Sequence, residues 1–184
     1  MKLRKSFWIA AVALFAAASV AIHYEVKIRM HQHSGSVREL GKLKVSEPAP
    51  DFTLHDLTEN PVTLSSFRGE KTVLLDFWAT WCGPCKAAMP DLQDLSDKFR
   101  ERGLEVVTID QRESVDQVRY FIDRRKYSFQ VLLDRDGAVG DKYGVRAIPT
   151  AVLIDKNGVV QSITVGNLLN DRDIQKRLEG MTKE

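Results

Sequence analysis

Cysteine is almost absent from this 184-residue chain: Cys82 and Cys85 are its only two, with two residues between them. That scarcity excludes a disulfide-stapled scaffold and any zinc site built from four thiolates. A dominant charge is missing as well. Lysine and arginine total 27 against 25 aspartates and glutamates, a formal +2, with the two signs interleaved. Such a balance excludes the basic stripe of a nucleic-acid-binding protein. An apolar run of membrane scale occurs only near the N-terminus, and no cysteine closes it, so a lipid-modified cysteine is excluded. What is present, 43% hydrophobic and 28% charged residues, fits one globular domain with an appendage.

The appendage is residues 1–30. Lys2, Arg4 and Lys5 make a basic start, and Phe7 to Ile22 is uncharged and mostly apolar. With the small-x-small Ser19-Val20-Ala21, this spells a secretory signal. An uncleaved signal anchor is equally physical: sixteen residues are short of the about 20 that cross a bilayer, but Trp8, His23 and Tyr24 suit its interfaces. The stretch is apolar all round, so a buried amphipathic helix is excluded. Residues 31–47, opening with His31-Gln-His33-Ser-Gly-Ser, read as a polar tether, and the two histidines lack a nearby third ligand for a metal.

The domain is expected over residues 48–184. Phe52-Thr-Leu and Val62-Thr-Leu flank Glu59-Asn60 as a β-hairpin. Thr72 to Trp78 is too apolar for a one-sided sheet and reads as a central, buried strand. From Pro84 to Arg102, Met89, Leu92, Leu95 and Phe99 recur at helical spacing up to Gly103. Leu104 to Ile109 is a second strand, Ser114-Val-Asp-Gln117 opens a second helix in capping-box spelling, and Phe129 to Leu133 is a third strand. Asp134-Arg-Asp-Gly137 resembles the start of a calcium loop, but the later ligands are missing and it reads as a turn. Thr150 to Ile154 and Val159 to Val165 make a hairpin, and Asn170 or Asp171 caps a last helix carrying Ile174 and Leu178. The order β-α-β-α-β-β-α is that of a layered α/β sheet with crossover connections.

Cys82-Gly83-Pro84-Cys85 falls where the central strand ends and a helix begins. There the first helical N–H groups lack internal partners and the helix dipole leaves partial positive charge. A thiolate is the anion that gains, which lowers the expected pKa of Cys82 to about 6–7. Pro84 suits the first helical turn, where its missing N–H is no loss, and Trp81 covers the site and offers surface to a partner. Structural zinc needs four ligands. A structural disulfide closing so short a loop restrains the unfolded chain little, and inert thiols do not sit at a helix N-terminus. A redox-active dithiol/disulfide pair is the reading adopted.

"VLLDFWATWCGPCKAAMP" together with "VRAIPTAVLIDKNG" resembles the thioredoxin superfamily, and the stretch from "PAPDFTL" to the last helix resembles its membrane-tethered TlpA/ResA-like thiol–disulfide oxidoreductases. The resemblance implies a thioredoxin-like α/β fold, a central mixed β-sheet flanked by helices, with an N-terminal β-hairpin and the N-terminal hydrophobic helix. It implies Cys82 as the attacking and Cys85 as the resolving thiol, and a cis peptide at Ile148-Pro149 that leaves the preceding backbone free for strand-like pairing with a substrate chain. Asp76 matches the buried acid of thioredoxin itself. On a buried strand its pKa should rise, fitting it to accept the Cys85 proton. Trp81, Gly83, Pro84 and Ile148 form the expected substrate-contacting surface. No metal or organic cofactor is implied.

Two departures bear on function. Ala87 and Ala88 stand where some tethered relatives carry a glutamate, and the Gly-Pro between the cysteines is the thioredoxin dipeptide. Both favour a general dithiol reductase over a dedicated role in cytochrome c maturation. The reading implies protein disulfides as substrates and a monomer at the outer face of a bacterial cytoplasmic membrane, or secreted if the leader is cut. Recharging then falls to a membrane donor of thiol electrons. Its rivals are the same chemistry run as an oxidase or isomerase, a non-catalytic binding module, and a peroxiredoxin-like peroxidase. The last shares the opening "PAPDFTL…VTLSSFRGEKTVLLDF" but places its cysteine after Pro-x-x-x-Thr without a CxxC partner.

Overall fold

The computed structural model describes residues 35–166 and 172–181. The N-terminal apolar segment, His31 and His33, and the cap expected at Asn170 or Asp171 lie outside the described residues. Among the described residues no helix is long and apolar enough to cross a membrane.

The described strands are β1 (Gly35–Val37), β2 (Glu39–Leu40), β3 (Leu43–Lys44), β4 (Thr53–Asp56), β5 (Pro61–Thr63), β6 (Thr72–Trp78), β7 (Leu104–Gln111), β8 (Gln130–Asp134), β9 (Thr150–Ile154) and β10 (Val160–Val165). The helices are α1 (Gly83–Phe99), α2 (Val115–Arg125), α3 (Ala138–Lys142) and α4 (Arg172–Met181). Eight strands form one mixed sheet in the order β1-β10-β9-β6-β7-β8-β4-β5. β6, β7 and β8 run parallel, whereas β9, β10, β1, β4 and β5 join antiparallel.

All seven residues of β6 are buried, as its unbroken apolar run requires of a strand covered on both faces. Side chains alternate across the sheet. Leu74 and Trp78 join Met89, Leu92 and Phe99 of α1, Val118 and Ile122 of α2, and Ile174 and Leu178 of α4 in one core. Val73, Leu75 and Phe77 join Phe52, Leu64, Val139 and Tyr143 in a second core on the opposite face. Asp76 shares its parity, and so its face, with Leu74 and Trp78.

Helix α1 starts from an N-cap at Cys82, contains Pro90, and passes through a 3-10 turn (Arg100–Arg102) to Gly103, which takes the left-handed φ of +88° that stops the helix. In α2 the Ser114 hydroxyl accepts the Gln117 N–H at 3.4 Å, but the Gln117 side chain does not close the capping box; it turns to Thr80 and Glu113.

Two segments differ from the expectation. Residues 35–47, expected as part of a polar tether, extend the fold. β1 pairs with β10 at the sheet edge, β2 pairs with β3, and Leu43 is only 2% exposed in the second core, with Val37, Leu40 and Val45 packed beside it. These four apolar residues, scattered among charges, join the core that holds Val160 and Ile163 of β10. The turn at Asp134–Gly137 leads into helix α3, which the sequence reading omitted. It is nucleated by the buried Asp134 carboxylate, which accepts N–H bonds from Val139 at 3.1 Å and Gly140 at 2.7 Å.

Candidate active site

Three neighbouring strands end at one place. β6 lies between β9 and β7, with Phe77 opposite Thr150 and Trp78 opposite Asp110. The carboxyl end of β6 therefore meets the start of β9 and the carboxyl end of β7, the edge of a parallel sheet where α/β proteins assemble their sites.

Cys82 stands at the N-cap of α1 with extended φ and ψ of −76° and 108°. It is joined to Cys85 by a disulfide of 2.03 Å, with the two Cα atoms 5.3 Å apart. The Cys85 backbone N–H points at Cys82 Sγ at 3.2 Å, so this sulfur takes the place of the side-chain oxygen of an ordinary N-cap. When the bridge is reduced, a thiolate there gains that N–H and the helix dipole together. Both cysteines are nearly enclosed, whereas the neighbouring Trp81 is 68% exposed. Gly83 and Pro84 are exposed, and a Cβ added at Gly83 would meet nothing within 4 Å.

The Ile148-Pro149 peptide is cis, and the Ile148 carbonyl oxygen lies 3.8 Å from Cys82 Sγ. Pro149 is buried, and its own carbonyl is taken by the Gly166 N–H at 2.8 Å. Ile148 is half-buried and touches both cores. The structure thus brings Cys82, Cys85, Ile148 and Pro149 together, with Trp81, Gly83 and Pro84 on the open side.

Asp76 is placed differently. It lies inside the core, on the sheet face packed by α1, and is 2% exposed with Oδ1 lacking a hydrogen-bond partner. Burial pushes its carboxyl up to about 8, so it is neutral at pH 7.

The sequence reading missed an acidic pair, Asp110 and Glu113, at the same end of the sheet as the cysteines. Asp110, at the end of β7 on the same sheet face, is fully buried, and neither of its carboxyl oxygens has a partner; nor has Nε1 of its register neighbour Trp78. Burial, then the adjacent Glu113, pushes Asp110 up to about 9. Glu113, in the loop after β7, reaches the N–H and the hydroxyl of Thr80, ahead of Trp81 and Cys82. The signal that would have found it is positional: an acid just past the carboxyl end of the strand beside the one that carries the cysteines.

An open groove of about 900 Å³ is lined by Lys71, Gly103, Glu105 and Gln130 among others. These residues mark the amino ends of β6, β7 and β8, so the groove lies at the far end of the strands from the cysteines.

Comparison with known proteins agrees with this geometry. The family model described as the AhpC/TSA family matches residues 45–163. The thiol-disulfide oxidoreductase ResA of Geobacillus thermodenitrificans is 38% identical over 137 residues, covering 74% of this chain and 78% of that protein. The ResA protein of Halalkalibacterium halodurans is 32% identical over 168 residues, covering 91% of each. Among solved structures, a Chlorobium tepidum protein assigned as the thiol:disulfide interchange protein DsbE superposes with a TM-score of 0.69 at 32% identity, over 77% of this chain and 99% of its own.

Proposed function

Because this chain belongs to the AhpC/TSA family, and within it is a thiol-disulfide oxidoreductase of the ResA/DsbE type, we propose that it reduces protein disulfides outside the cytoplasm, with Cys82 as the attacking thiol. The observation that carries this reading is the Cys82 sulfur: it receives the Cys85 N–H at the head of α1 and lies 3.8 Å from the carbonyl that precedes the cis proline.

In the reduced protein, the Cys82 thiolate attacks one sulfur of a substrate disulfide. A Cys82–substrate bond forms, and the other substrate sulfur leaves as a thiolate and takes up a proton. The Cys85 thiol then loses its proton and attacks Cys82, which releases the second substrate thiol and leaves the Cys82–Cys85 bridge. Two electrons have passed to the substrate. Asp76, neutral at pH 7 and on the face packed by α1, fits the role of exchanging the Cys85 proton. The backbone before Pro149 offers a substrate chain one short stretch of strand-like pairing, with Trp81 as an apolar platform beside it.

The basic start and apolar run of residues 1–30 support an anchored or exported protein. In an oxidising compartment such a reductase is recharged by a membrane donor of thiol electrons. The Gly-Pro between the cysteines supports the reducing direction, and the protein is taken to act as a monomer.

Trapping tests the exchange. A Cys85→Ser variant should accumulate disulfide-linked adducts with a restricted set of exported polypeptides; adducts with every thiol protein alike would sink the role. Titrating the wild type in graded glutathione buffers tests the direction. A two-electron midpoint near or below about −240 mV fits a reductase, whereas one near about −150 mV or above makes the protein a disulfide donor. The family match and the "PAPDFTL" opening also favour a peroxidase reading. Hydrogen peroxide consumption no faster than that of a free thiol would remove it.

A further inference from the structure

The exchange steps leave one carboxylate at the active-site loop unused. Glu113 accepts the Thr80 N–H on Oε2 at 2.5 Å and the Thr80 hydroxyl on Oε1 at 2.6 Å. Gln117, in the first turn of α2, donates its side-chain N–H to the same hydroxyl oxygen at 2.8 Å and also to Glu113 Oε1. These contacts suit a charged acceptor. A backbone N–H and an amide N–H only donate, and the Thr80 hydroxyl donates to Glu113 while its oxygen accepts from Gln117. Both Glu113 oxygens therefore accept, which is the pattern of an ionised carboxylate.

The clamp lies close to the chemistry. Thr80 is two residues ahead of Cys82, and the Cys82 N–H is tied back to the Ala79 carbonyl at 3.1 Å. Trp81, between them, is largely exposed. The loop that presents Glu113 is held in turn. Arg112 takes a left-handed φ of +65°, donates its N–H to the Asp134 carbonyl at 3.0 Å and pairs its side chain with Asp141 at 3.4 Å.

We propose that Glu113 is a positioning residue for thiol–disulfide exchange: through Thr80 it sets where Cys82 Sγ stands above the first turn of α1 and beside the Ile148 carbonyl. The inference rests on the reading of Cys82 as the attacking thiol. Asp110 is what makes the part-buried clamp tolerable. It sits fully buried behind Glu113. Burial, Glu113 and the charge of Asp134 on β8 raise its carboxyl to about 9, and Asp76 on β6, one pair along the same face, is neutral too. At neutral pH Asp110 is therefore uncharged beside Glu113. Ionising Asp110 would set two carboxylates against each other and loosen the hold on Thr80.

The test is the rate at which iodoacetamide alkylates Cys82 in the reduced full-length protein, assigned by mass spectrometry and followed from pH 5 to 10. Glu113→Gln keeps the shape but offers a nitrogen that cannot accept, and Thr80→Val keeps the shape without the hydroxyl. Each should slow Cys82 at pH 7 by about 10- to 100-fold, the scale of misplacing a reacting atom. The double variant should be no slower than the slower single one, and Thr80→Ser should restore the rate lost in Thr80→Val. In the wild type the rate should rise with thiolate formation and fall again above about pH 9, and Asp110→Asn should abolish that fall. A folded Glu113→Gln protein that matches the wild-type rate and pH profile would overturn the proposal, as would single effects that multiply in the double variant. A wild-type Cys82 no more reactive than a free thiol would overturn the exchange reading itself, and the positioning role with it.

Discussion

Replacing Asp76 by Asn removes a proton that the folded protein holds and the unfolded chain releases. The side chain is 2% exposed, and burial lifts its carboxyl from 3.8 to about 8. With the folded value raised, its contribution to stability is fully present below about pH 4 and is lost as pH climbs towards 8. At pH 7 the span above 3.8, at about 1.4 kcal/mol per unit, corresponds to about 4 kcal/mol of lost stability. Asn has nearly the same shape and no charge in either state, so it escapes this loss. It still buries an amide, and that holds the net gain to about 2–4 kcal/mol at pH 7. The assay is urea unfolding of the oxidised wild type and variant between pH 4 and 9. At pH 4 the variant should lie level with the wild type or up to about 2 kcal/mol below it, then gain on it steadily up to about pH 8 and run parallel above it. Asp110 titrates in both proteins and drops out of the difference. Curves that stay parallel across the whole range would refute the reasoning.

Further expectations concern the fold. Leu43→Ala should destabilise the protein by about 2–4 kcal/mol, because the residue is enclosed in the second core; an unchanged urea midpoint would return residues 35–47 to the status of a solvated tether. Gly144→Ala should cost about 1–3 kcal/mol, read as a lowered melting temperature, since its φ is +71° and an added Cβ would come within 2.7 Å of the Leu40 carbonyl oxygen. A wild-type melting temperature would show that the Leu40–Gly41 turn gives way freely. Asp76→Asn should also slow resolution of the mixed disulfide with a model substrate, and kinetics unchanged across about pH 6–9 would remove Asp76 from that step.

The elements that carry the cysteines were legible because their signals are local. β6 is an unbroken apolar run, α1 repeats its buried residues at helical spacing, and the pair falls at their junction. Asp76 was legible as an acid in an apolar strand, where burial leaves it little choice of protonation state. What escaped the sequence depends on contacts between distant segments. β1 has three residues, and its partner Ile163–Val165 lies near the other end of the chain, so nothing nearby marks Gly35–Val37 as a strand. α3 is a five-residue helix begun by the carboxylate of Asp134, a cause that spacing of apolar residues cannot display. Glu113 gains meaning only once β7 is known to lie beside β6, since its partner Thr80 is 33 residues away.

The two ends of the sheet bear on what this enzyme handles. A thiol-disulfide oxidoreductase that acts on protein disulfides meets, at every encounter, chains that can offer an unpaired strand. An open sheet margin would turn such visitors into permanent adhesions. Here one margin is β5, three residues long and opened by Pro61, whose ring offers no N–H; the other is β1, equally short. Neither gives a sticky chain enough length to nucleate on. In the proposed mechanism backbone pairing is offered beside the cis proline, next to the reactive sulfur, so that a visiting chain is held where exchange takes place rather than along the sheet margins.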